Sequence, residues 1–186
     1  MIFITGPHGA GKSKVAQILR KYGIFSIDLG PTLRKIHKAQ HHDNFWEWIR
    51  EGEQRVGAHF TDNLLVEEII KFYSACHGER EYKGISIVGN RSVEGIEYIK
   101  KRVPLYSGQN VILYIEAPFE ILVERFNSRE SKNLSKKDFC VLLEEDKQRG
   151  LEKIWHFADF IIHNSGDENS LNGVIEEMMV VLMGLY

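Results

Sequence analysis

Short unbroken apolar runs alternate along the chain with longer stretches in which apolar side chains recur every three or four residues. The runs predict buried strands and the stretches predict amphipathic helices packed over them. Strands are expected at residues 1–5, 24–28, 85–88, 111–115 and 158–163. Helices are expected at 12–22, stopped by Gly23, and at 31–41, with Pro31 in the first turn. Further helices are expected at 93–102, around Ile121 to Phe126, from a Ser135 cap to Arg149-Gly150, and at 168–183. Between the second and third strands lies a polar, helical segment. It has an Asp43-Asn44 cap before Phe45, Trp46, Trp48 and Ile49, then Phe60, Leu64, Leu65, Ile69 and Phe72 at helical spacing. The pattern predicts an α/β fold, a doubly wound five-stranded parallel sheet with helices on both faces. One domain is expected, with its core in 1–41 and 85–186 and a helical insertion at about 42–84. The most polar run, Ser128 to Lys137, is the best candidate for a mobile element.

Composition narrows the class. A length of 186 residues suits a single domain with a sizeable core, and 43% hydrophobic with 27% charged residues is the balance of a soluble globular chain. A formal charge of −2 gives no electrostatic footprint for a nucleic acid polymer or an anionic membrane, so neither partner is expected. Cys76 and Cys140 stand far apart without a C-x-x-C pair, which predicts reduced thiols and a cytoplasmic location over a disulfide framework or a zinc site. No secretion signal is expected, and no apolar run approaches the ~18 residues of a membrane span.

The chemistry is concentrated in Gly6-Pro7-His8-Gly9-Ala10-Gly11-Lys12-Ser13, which meets G-x-x-x-x-G-K-S/T at every fixed position between a strand and a helix. A loop around a polyphosphate must turn its N–H groups inward, which suits glycine at 6, 9 and 11. The helix beginning at Lys12 adds its dipole and free N–H groups. Lys12 supplies charge to the β- and γ-phosphates, the Ser13 hydroxyl is placed to ligand Mg²⁺, and Lys14 completes the expected ATP site.

In a parallel sheet, ligands collect beyond the carboxyl ends of the strands. Asp28, after the second strand, could accept a proton from an acceptor hydroxyl, hold Mg²⁺ through water, or cap the next helix. Arg34, one turn further, suits an acceptor phosphate or is a solvated helix charge. Asn90 and Arg91, after the third strand, would meet an acceptor phosphate or a metal shell, or form a turn before a Ser92 cap. Arg125 and Arg129 stand four residues apart on one helix face and could close on a transferring phosphoryl group from a lid at about 127–150. Asn164 lies in a polar turn that could sit beside an adenine ring. His37, His41 and His42 lack a supporting ligand cluster and read as a solvated patch, and Trp46, Trp48 and Trp155 read as core or lid packing.

The phosphate loop, the stretch Lys12 to Asp28 and the ending Ala158 to Asn164 resemble dephospho-coenzyme A kinase and its adenylate-kinase-like relatives. Leu29 to Arg34 and Gly89 to Tyr98 look like matching stretches of the adenylate-kinase-related proteins. The resemblance implies a P-loop nucleoside or nucleotide kinase with a core, an acceptor-binding helical segment and a lid. It implies that Lys12 and Ser13 hold ATP and Mg²⁺, that Arg34 and Arg91 bind the acceptor's phosphate, and that Arg125 and Arg129 close over the transferring group. Two positions depart from the pattern. Gly30 stands where dephospho-coenzyme A kinases keep an acid as catalytic base, and Val88-Gly89 stands where relatives end the third strand with an acid. Asp28 then covers part of both roles, or the chain is a nucleotide-binding regulatory module without turnover. The absence of an Asn-Lys-x-Asp motif disfavours a switch GTPase.

Overall fold

The computed structural model describes residues 1–40, 43–76, 82–103, 109–130 and 133–184. His41, His42, residues 77–81 of the expected insertion and residues 131–132 of the expected lid lie outside them. Strands β1 (Ile2–Thr5), β2 (Ile24–Asp28), β3 (Gly84–Val88), β4 (Val111–Glu116) and β5 (Phe160–His163) form one sheet in the order β2-β3-β1-β4-β5. Every pairing is parallel. The chain leaves β1 toward β2 on one side and later crosses to β4 on the other. The carboxyl end of β1 is therefore the point where the winding reverses, and crevices for ligands open there.

Alternate side chains of each strand enter opposite cores. Ile2, Ile4, Leu113 and Ile115 pack with α1 (Lys12–Leu19), α6 (Phe119–Glu130), α7 (Lys136–Gln148) and α9 (Glu168–Leu182). Phe3, Ile85, Ile87 and Ile112 pack with α4 (Phe60–Cys76), α5 (Val93–Arg102) and α8 (Leu151–His156). A buried hydroxyl pair, Ser26 Oγ and Ser86 Oγ at 2.6 Å, joins β2 to β3, each hydroxyl satisfying the other inside the sheet. The segment expected as an insertion contains α3 (Phe45–Val56) and α4, and a small third core joins it to α2 (Leu29–Ala39), Trp48 and Phe60 packing against Leu33.

Local chemistry moves several boundaries. The expected helix at 12–22 is α1 followed by a 3₁₀ turn at Arg20–Tyr22, and α2 starts at Leu29 because the Asp28 carboxylate accepts from the Gly30 N–H at 3.2 Å. Both ends of the polar run from Ser128 to Lys137 are helical: Ser128 to Glu130 finish α6, and Lys136 opens α7. Asn127 folds the chain between them, donating to the Leu134 carbonyl at 3.1 Å and accepting from its N–H at 3.0 Å. Helix α8 follows Gly150, whose φ of +102° breaks α7 and lets Leu151 and Ile154 turn into the core.

Candidate active site

The loop after β1 is a cup built by close backbone approach. A Cβ on Gly6 would stand 2.1 Å from the Ile115 carbonyl oxygen, and one on Gly11 would stand 2.3 Å from Asn164 Nδ2. Both glycines have positive φ, +136° and +95°, so both contact and conformation demand glycine. Asn164 buttresses the cup from behind, its amide donating to the Ala10 carbonyl at 2.8 Å. This side chain is buried and engaged with the loop. Arg125 braces the same corner, donating to the carbonyls of Asn164 at 2.9 Å and Gly166 at 3.2 Å.

Inside the cup, the Lys12 ammonium donates to the Gly6 and Pro7 carbonyls at 2.7 Å each. Burial, with Arg91 and Arg129 nearby, pushes its pKa down to about 7, against a smaller upward pull from Asp28. The Ser13 hydroxyl donates to Asp28 Oδ2 at 3.0 Å. These two oxygens are hard ligands beside the phosphate cradle, the donor chemistry that suits Mg²⁺. Lys14 turns the other way and pairs with Glu168 at 2.7 Å.

Arg91 lies between the loop and α7. Thr5 Oγ1 donates to the Asn90 carbonyl at 2.8 Å, which fixes the chain at the end of β3 and aims the next side chain across the site. The Arg91 guanidinium forms an ion pair with Asp146 of α7, and its Nη2 donates to His8 Nε2 at 3.1 Å. Burial, Arg149 and Arg129 lower the Arg91 pKa to about 10. His8 is driven down to about 3, first by burial and then by Arg91, Lys12, Arg129 and Arg149, so its ring is neutral and accepts from Arg91. Two buried acceptors in this neighbourhood, Asn90 Oδ1 and Asp146 Oδ2, have no hydrogen-bond partner.

The fold thus brings together Lys12, Ser13, Asp28, Arg91 and Arg129 from the residues singled out by sequence. Arg34 stands on the Asp28 side: its Nη1 lies 3.3 Å from where a Gly30 Cβ would be, and its guanidinium is 5.8 Å from the Phe45 ring centre. Arg149 and Asp146 were missed. Arg149 sits 5.2 Å from the centre of the exposed Trp46 ring, so that tryptophan packs against a guanidinium at the surface. Exposed Trp155 likewise leaves the core and donates to Glu116 at 3.2 Å. Asp146 did leave a signal, since it falls in the apolar stripe Phe139, Leu142 and Leu143 at helical spacing, where a carboxylate needs a partner.

Sheet order and phosphate cup together define the P-loop kinase fold, and the chain resembles P-loop nucleotide kinases. A UPF0200 protein of Sulfurisphaera tokodaii is 25% identical over 188 residues, spanning 96% of this chain and 95% of that protein. The dephospho-CoA kinase of Aquifex aeolicus is 25% identical over 179 residues, spanning 89% and 88%. Among solved structures, shikimate kinase from Acinetobacter baumannii in complex with shikimate matches with a TM-score of 0.57 at 17% identity, covering 98% of this chain and 92% of that one. Shikimate kinase from Bacteroides thetaiotaomicron matches at 0.61 and 14% identity, covering 98% and 97%. No protein-family model matches the chain.

Proposed function

We propose that this protein is a cytoplasmic, ATP-dependent kinase that transfers the γ-phosphoryl group to a nucleotide-like small molecule. The observation that carries this reading is the glycine-lined cup holding Lys12, with Arg91, Arg129 and Arg149 gathered around its mouth. Phosphoryl transfer spreads negative charge over the transferred group, and fixed cations in a dry site stabilise that charge without reorganising. ATP would lie with its phosphates against residues 6–14. Mg²⁺, held by Ser13 with Asp28 beside it, would screen the β- and γ-oxygens. Arg34, Asn90 and Arg91 would receive the acceptor, framed by the helical insertion. Residues 127–150 would serve as the lid, bringing Arg129 to the reacting group while Arg125 steadies the nucleotide side. Dephospho-CoA kinase among the relatives supports a small-molecule acceptor, and no helix among the described residues is long and apolar enough to cross a membrane.

The test is transfer from radiolabelled ATP to a panel of small acceptors by wild type and by Lys12→Ala. Loss of one oxyanion-type contact commonly costs about 10²–10³ in rate, and the variant is expected to lose at least that while keeping its circular dichroism spectrum. Equal activity in the variant would contradict the reading. Tight ATP binding by wild type with no labelled product in any well would favour a regulatory nucleotide-binding module.

A further inference from the structure

We propose that His8 is a positioning residue: through its hydrogen bond with Arg91 it fixes that arginine relative to the phosphate cup, and so aligns the two substrates. The inference rests on the kinase reading above and adds to it a residue that the loop motif leaves free, since the motif constrains only Gly6, Gly11, Lys12 and Ser13.

The backbone decides where this imidazole stands. Pro7 to Ala10 form a turn in which the Ala10 N–H donates to the Pro7 carbonyl at 3.3 Å, with His8 and Gly9 at its centre. Gly9 has a φ of +79°, and a Cβ there would stand 2.3 Å from the Leu122 carbonyl oxygen, so the turn lies hard against α6. The His8 ring then meets Phe126 of the same helix edge to face, with ring centres 5.5 Å apart. Its Nε2 faces Arg91 at 3.1 Å.

Arg91 is anchored twice. Asp146 holds Nη1 in the ion pair, and His8 accepts from Nη2. The two anchors belong to different parts of the molecule, Asp146 to α7 and His8 to the cup. Asp146 Oδ1 lies 3.8 Å from His8 Nε2, outside hydrogen-bond reach, so the guanidinium is what joins them. A guanidinium held at one nitrogen can swing about that contact, whereas one held at two has its plane fixed. With Asp146 alone, Arg91 would follow any movement of α7. With His8 as well, it keeps its place beside the phosphates. Burial first, then Arg91, Lys12, Arg129 and Arg149, hold the imidazole neutral, so it remains an acceptor at neutral pH. Placement at this precision matters for transfer between two bound substrates, where a shift of about 1 Å can lower the rate about 10²-fold.

Two measurements on the full chain test the assignment. The first follows label transfer from ATP to whichever acceptor of the panel wild type labels best. His8→Ala is expected to lower kcat about tenfold or more while the KM for ATP stays within about twofold, and His8→Gln, which keeps an acceptor oxygen, is expected to recover most of the loss. An unchanged kcat in His8→Ala, a KM for ATP that moves as much as kcat, or an equal loss in His8→Gln overturns the inference. The second needs no turnover. In protein labelled with ¹⁵N-arginine, the Arg91 resonances are those lost in Arg91→Lys, and a guanidinium held at both ends rotates slowly enough on cooling to give separate Nη signals. Those signals are expected in wild type and His8→Gln and expected to merge in His8→Ala; an Arg91 pattern unchanged in His8→Ala overturns the inference. If wild type labels no acceptor, the kinase reading fails, and the arginine spectra alone decide whether His8 holds Arg91.

Discussion

His8 must stay neutral for the site to hold its shape, because its Nε2 accepts from Arg91 at 3.1 Å while four cations surround it. The sign of the resulting pH dependence follows. In the unfolded chain the imidazole takes a proton near 6.5, whereas in the folded chain it does so only near 3. Between those values acid protonates the unfolded state first, so stability is complete above about 6.5 and declines as pH falls toward 3, by roughly 1 kcal/mol or less per pH unit for this partly exposed group. His8→Gln keeps an acceptor oxygen and removes the titration. Its melting midpoint is expected to fall less steeply than wild type from pH 6.5 downward; superimposable profiles would contradict this role. At this scale the motif foretold position, putting Lys12 and Ser13 together in the loop after β1. The sequence was an incomplete guide where one side chain does two things: Asp28 caps α2, one of the roles expected of it, and also receives the Ser13 hydroxyl, which was not foreseen.

Helix α7 is fastened to the end of β3 by Asp146, and at its foot Gly150 packs against the Arg91 carbonyl, 3.5 Å from a notional Cβ. Removing one partner of a buried ion pair leaves the other charge uncompensated. Asp146→Ala is therefore expected to cost about 3–5 kcal/mol, seen as a lower denaturant midpoint at unchanged slope. A loss under about 1 kcal/mol would mean that α7 is held by Phe139 and its apolar neighbours alone. Elements with a strong period were legible: every expected strand exists, and α5, α7 and α9 lie close to their expected bounds. The errors have physical causes. Residues 151–156 are too short for a period to declare itself, and their helix exists because Leu151 and Ile154 reach the core. The Asn127 contacts to the Leu134 backbone, beside the polar run after Ser128, were not legible either, since composition does not reveal them.

For the whole molecule, the apolar runs predicted a parallel sheet buried on both faces, but they carry nothing about strand order. Placing β3 between β1 and β2 is what brings Arg91 beside the cup, and α7 then delivers Arg149 and Asp146 to the same point. The nucleotide side was legible because one contiguous loop builds it. The meeting of Arg91 with Arg149 was not, because they come from separate elements and come together only in the folded chain. The central claim is that residues 6–13 grip a triphosphate with their backbone amides, and an amide NMR titration with ATP and Mg²⁺ tests it directly. The account predicts that the largest shifts fall on the N–H groups of Gly9, Ala10, Gly11, Lys12 and Ser13 and vanish when adenosine replaces ATP. Shifts of equal size with adenosine, or none within this loop, would contradict it.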